Sequence, residues 1–75
     1  MPYSSAVRLV RIQFEHAISC SHDGRIDDAE KALGHARRRL DRVRVTLAQD
    51  ELLALVELET RAAEAVRAGR DLPRG

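Results

Sequence analysis

The sequence predicts an all-α fold, a short antiparallel bundle of three helices, on three observations. Apolar residues recur at helical spacing along most of the chain. Aromatic residues are almost absent, with Tyr3 and Phe14 the only two, so the core is built from Leu, Val, Ile and Ala. Ala and Leu are strong helix formers, and glycines at positions 24 and 69 mark helix ends.

The first segment runs from about Ser4 to His22. At 100° per residue, Tyr3, Ala6, Val7, Leu9, Val10, Phe14, Ala17 and Ile18 fall on one broad face, and Arg8, Arg11, Glu15 and Ser19 on the other. Ile12 is the large apolar residue off the stripe. Ser4 or Ser5 supplies an N-cap. Ser21-His22-Asp23-Gly24 reads as a stop, with Gly24 suited to the left-handed C-terminal position.

The second segment starts near Ile26, and Asp27, Asp28 and Glu30 in its first turn favour the helix dipole. Ile26, Leu33, Leu40 and Leu47 are spaced by seven, with Ala29, Ala36 and Val43 between them. Such a seam, large and small in alternation, lets a neighbouring helix approach closely. The third segment runs from about Leu47 to Ala68, with Leu52, Leu55, Val56, Leu58, Ala62, Ala63 and Val66 as its apolar set; Gly69 is expected to end it.

The joint between the last two segments admits two readings. No Gly or Pro lies between His35 and Arg67, so one long second helix in a two-helix hairpin is the alternative. A break is favoured because Val43, Val45 and Thr46 are poor helix formers and Thr46-Leu47-Ala48-Gln49 suits a capping box. The apolar stripe also changes direction there. Residues 1–70 then form a single helical domain and 71–75 a flexible tail.

Length and composition narrow the function. A 75-residue chain is one domain and buries a modest share of its surface. Cys20 is the only cysteine, so an intrachain disulfide is excluded, and a lone thiol fits a reducing compartment. The start, Met1-Pro2-Tyr3-Ser4-Ser5, lacks the basic and apolar regions of a signal peptide, and no apolar run approaches a membrane span. A cytoplasmic protein without membrane contact is the expectation. The near-exclusive use of Arg among the basic residues suggests a bacterial genome rich in GC.

Residues Ala17 to Ala36 carry a pattern of their own. Ala17 is a small residue on the first helix, Gly24 stands at the turn, and Ala29, Leu33 and Ala36 run small, large, small on the second. With Gly24-Arg25-Ile26-Asp27-Asp28-Ala29-Glu30-Lys31-Ala32-Leu33, this stretch resembles a single tetratricopeptide-type hairpin. It departs from that family at Gln13, at Cys20 in place of an aromatic and at Asp41 in place of a proline. It occurs once, whereas stacked repeats need several copies. The resemblance implies peptide or protein binding rather than catalysis.

Three groups of residues are candidates for function. The broad apolar faces exceed what a short chain buries, so Val7, Phe14, Ile18, Leu52, Leu55 and Leu58 are expected to meet a partner. Glu59 projects into the apolar stripe of the third helix, where an unpaired carboxylate is costly. It is expected to pair with an Arg such as Arg8, Arg11 or Arg42, or across an interface. Second, Arg37, Arg38, Arg39, Arg42 and Arg44 form a basic cluster that could bind phosphates. Against that, Asp41 interrupts the cluster, the formal net charge is +1 and aromatic platforms for bases are missing. Third, His16, Cys20 and Asp23, spaced i, i+4 and i+7, are of metal-ligand type, although a small buried apolar role also accounts for Cys20.

No Gly-rich phosphate loop, Ser-His-Asp arrangement or CxxC motif is present in the sequence. The reading is a non-catalytic, helical protein–protein interaction module (adaptor, regulatory or assembly subunit), a homodimer or part of a complex. No enzyme activity, cofactor or small-molecule substrate is expected. A nucleic-acid-associated regulator using the Arg cluster and a metal-sensing protein using His16 and Cys20 are the alternatives.

Overall fold

The computed structural model describes residues 5–71, with side chains from Val7 onward. It consists of α1 (Ser5–His22), α2 (Ile26–Val43), a 3₁₀ turn (Arg44–Thr46) and α3 (Gln49–Asp71). All three helix pairs are in contact. The fold is an all-α three-helix bundle, and no strand occurs among the described residues. None of the helices is long and apolar enough to cross a membrane. Tyr3, Ser4 and the tail beyond Asp71 lie outside the described residues, as do the side chains of Ser5 and Ala6, and the N-cap expected at Ser4 or Ser5 falls among them.

α1 ends where the sequence predicts. Gly24 takes φ +80°, a conformation that a residue with a Cβ adopts only at a cost. Its N–H donates to the Ser21 carbonyl at 3.2 Å, and the Arg25 N–H donates to Cys20 at 2.8 Å. These two bonds form a Schellman motif and satisfy carbonyls left over at the helix end. The turn is only three residues long, so α2 returns antiparallel along α1. Ser21, buried, donates its hydroxyl to the Ala17 carbonyl at 2.9 Å.

The core runs the length of this hairpin. Val10, Phe14, Ala17, Ala29 and Ala36 are fully buried, and Val7, Cys20, Ile26, Ala32, Leu33 and Leu40 nearly so. The alanines bring the two backbones close, which is what the small positions of the seam predict. From α3 only Leu55, Ala62 and Val66 are buried.

The chain breaks between α2 and α3, so the two-helix alternative is excluded. The cause lies in Val43 to Leu47. Val43 drifts to φ −99°, ψ −9°, the backbone tightens into 3₁₀ geometry, and Leu47 at φ −87°, ψ 145° leaves the helix. The cap differs from the expected one. Thr46 donates its hydroxyl back to the Val43 carbonyl at 2.7 Å, so it closes the old helix rather than opening the new. The Glu51 carboxylate instead accepts from the Ala48 N–H at 3.3 Å, the reciprocal half of a capping box two residues further on.

α3 also runs past Gly69 to Asp71, beyond its expected end. Gly69 serves close packing rather than termination. A Cβ there would collide with the Cδ1 of Ile26 and would lie 3.6 Å from the Ser21 carbonyl oxygen. The missing side chain lets the last turns of α3 lie against the α1–α2 turn.

Candidate functional site

Helix packing sorts the expected partner-binding residues into two sets. Val7, Phe14 and Leu55 are buried within the chain's own core. They offer no surface to a partner, and their assignment is corrected. The physical reason is that α1 is covered by both neighbours, so its broad stripe is used twice. Ile18, Leu52 and Leu58 are partly buried at the margins of the same core. Leu9, read as part of the stripe, is instead 43 % exposed. Ile12, off the stripe, is 52 % exposed. On α3 the exposed large residue is Leu53, at 58 %. The surplus apolar surface therefore lies on the outward faces of α1 and α3, away from the centre of the apolar stripes, and at Val45 in the 3₁₀ turn, which is 86 % exposed.

Glu59 is paired within the chain. Its carboxylate accepts from Arg37 Nε at 2.8 Å, joining α3 to α2. The partner is none of the three arginines expected, because Arg37 faces α3 across the edge of the core. With Thr60, Ala63, Glu64 and Arg67 the pair lines an open cleft of about 450 Å³. A second cleft of about 590 Å³ lies between α1 and α3, with Arg8, Arg11 and Glu15 on one wall and Asp50, Glu51 and Glu57 on the other. Both clefts mix cations and anions, so neither has a field of one sign to focus a charged ligand.

The Arg cluster is divided by its pairings. Arg37 is tied to Glu59, and Arg44 lies 3.7 Å from Asp41. Arg38, Arg39 and Arg42 remain exposed, with Arg38 donating to the Gly34 carbonyl at 3.4 Å. Two further ion pairs brace helix ends. Arg25 donates to Asp28 at 2.7 Å, and Arg70 reaches from α3 to Glu30 on α2. The hydrogen bond to Asp28, and then its charge, raise the pKa of Arg25; Glu30 does the same for Arg70.

His16 and Cys20 meet as their spacing predicts, with the thiol sulfur 3.5 Å from Nε2 and 4.0 Å from Nδ1. Cys20 is only 2 % exposed and packs in the core. Asp23 sits outside, in the turn after the helix. Among the described residues no three His, Cys, Asp or Glu side chains gather closely enough to hold a metal ion.

One arrangement escaped the sequence reading. On α2, Lys31, His35, Arg38 and Arg42 follow the spacing four, three, four, and all are exposed. The signal was present in the numbering but hidden by the run Arg37-Arg38-Arg39, whose members point in three directions. On α3, Asp50, Glu57, Glu64 and Asp71 are spaced by seven and likewise exposed. No protein-family model, curated protein or solved structure matches the chain.

Proposed function

We propose that the chain is a non-catalytic helical protein–protein interaction module that associates with itself. The observation that carries this reading is the exposure of Leu9 and Ile12, one turn apart on α1, and of Leu53 on α3, in a bundle whose other large residues are mostly turned inward. Fully removing such a side chain from water is worth about 1.5–3 kcal/mol, and a half-exposed one has a share of that still to gain. A small domain has few other sources of stability. The sealed core supports assembly over chemistry: the Thr60 hydroxyl in the first cleft is bound back to the Val56 carbonyl at 3.0 Å, and Glu59 is held by Arg37.

Light scattering coupled to size exclusion tests the reading. The expected result is a mass above that of the 8.4 kDa chain, rising with concentration. A monomer from micromolar to millimolar concentration contradicts it. The double variant Leu9→Glu, Ile12→Glu tests whether α1 takes part, and an unchanged mass would remove that helix from the contact.

A further inference from the structure

The outward faces of α2 and α3 carry charge ladders of opposite sign and equal repeat. Lys31 and Arg38 are seven residues apart, and Arg42 continues the basic face four residues on, with the polar imidazole of His35 between them. At 100° per residue the four fall within an arc of about 60°. Asp50, Glu57, Glu64 and Asp71 occupy an equally narrow arc of α3. Seven residues advance a helix by about 10.5 Å, so Lys31 and Arg38 match the spacing of any two successive acids on the other ladder. The exposed Leu53 stands on the acidic arc, between Asp50 and Glu57.

None of these eight side chains forms an ion pair among the described residues. Three of the charged groups nearest the basic arc are already engaged. Asp28 is held by Arg25, Asp41 by Arg44, and Arg37 by Glu59. Asp27 remains at the start of the basic arc, while Arg8, Arg11 and Arg61 share one cleft with Asp50 and Glu57, and Arg67 shares the other with Glu64. The two strips take no part in the ion pairs that hold the bundle together, and the arginines beside the acidic one lie at its margins.

We propose that a second copy of the chain docks the acidic face of its α3 on the basic face of α2. The proposal rests on the self-association reading and names α2 and α3 as its surfaces, with Leu9 and Ile12 of α1 outside this contact. The surface is selected by charge sign and by the common 10.5 Å repeat (about seven residues of helix), with Leu53 covered in the contact. The outward faces of two helices in a three-helix bundle diverge, so one partner cannot cover both. The contact is therefore heterologous, and each bound copy still offers one free face. Assembly proceeds head to tail, ending in a ring or continuing as a chain.

The test is a charge swap read by light scattering at low ionic strength. One variant is Arg38→Glu, Arg42→Glu; the other is Glu57→Lys, Glu64→Lys. All four positions are exposed, and circular dichroism checks that each variant is helical. Wild type is expected to exceed the monomer mass and to fall to monomer in molar salt. Each variant alone is expected to associate at least about tenfold more weakly, and an equimolar mixture to regain wild-type association. If a reversal unfolds the chain, Arg38→Gln, Arg42→Gln gives the same reading with a smaller loss. Wild-type association that neither reversal weakens overturns the proposed surfaces and leaves self-association standing. A wild-type monomer under all conditions overturns both. A monomer that shifts duplex DNA or RNA through Arg38 and Arg42 assigns the basic face to phosphates instead.

Discussion

Of the 18 residues of α2, six are buried; of the 23 of α3, three are. α3 has the larger apolar share, eleven of 23 residues against seven of 18, so the difference is one of geometry. Ala29, Ala32 and Ala36 bring α2 close to α1, where Phe14, Ala17 and Val10 fill the space between them. Between α2 and α3 the contact is made by ion pairs at the rim, Arg37 with Glu59 and Arg70 with Glu30, and by the close approach at Gly69. The hairpin holds itself by packing. α3 completes the core with a narrow stripe and leaves most of its circumference to solvent. A helix used this way can carry a second sequence pattern on its outer side, and α3 does so with its acids.

The largest expected effect is on the hairpin. Phe14→Ala removes the one fully buried aromatic ring among the described residues, a change that typically costs about 3–5 kcal/mol. In a domain this small that consumes most of the stability, so loss of helicity throughout the chain at room temperature is expected by circular dichroism. A cooperative, nearly unshifted melt would mean that the hairpin is not the dominant core.

Gly69→Leu strikes the other seam. The new side chain must displace the Cδ1 of Ile26 and fill the space it holds; overpacking of this kind costs about 1–3 kcal/mol, offset in part by up to about 1 kcal/mol of helix propensity that glycine lacks. The melting temperature is expected to fall, while hydrogen exchange in the middle of α1 and α2 stays slower than in the last turns of α3. Equal acceleration in all three helices would remove the distinction between the seams.

The fold was legible where periodicity and end signals agreed. α2 begins at Ile26, and Gly24 takes the left-handed position its context demands. Gly69 was misread because a glycine near a helix end has two physical uses, termination and close approach, and only the position of Ile26 separates them. The site was less legible. A wheel identifies a broad apolar face on α1 but cannot say that two neighbours cover it, which is why Val7, Phe14 and Leu55 were assigned outward. For Glu59, the stripe position revealed the need for a cation; the choice of Arg37 depends on the packing of α2 against α3.

Smaller effects sharpen the comparison from the solvent side. Gly34 lies in the interior of α2, and a Cβ there would meet only Arg38 Nη2, at an ordinary 3.6 Å. Gly34→Ala is expected to raise stability by about 0.5–1 kcal/mol through helix propensity. A decrease in the denaturation midpoint would show a constraint on that face. Least of all, Arg37→Ala is expected to cost about 0–1 kcal/mol, since the ion pair it breaks is largely exposed. A larger loss in chemical denaturation would make the α2–α3 seam depend on charge far more than its exposure implies.

The central claim is that on α3 one face holds the chain together and the other meets a partner. Leu53 and Leu55, two residues apart, stand on opposite sides of that division, at 58 % and 3 % exposure. The most direct test is the light-scattering mass of Leu53→Lys, which places a cation opposite the basic face, at a concentration where wild type associates, with the thermal melt recorded on the same sample. The account predicts a monomer with an unchanged melt. A Leu53→Lys protein with the full wild-type mass would contradict it.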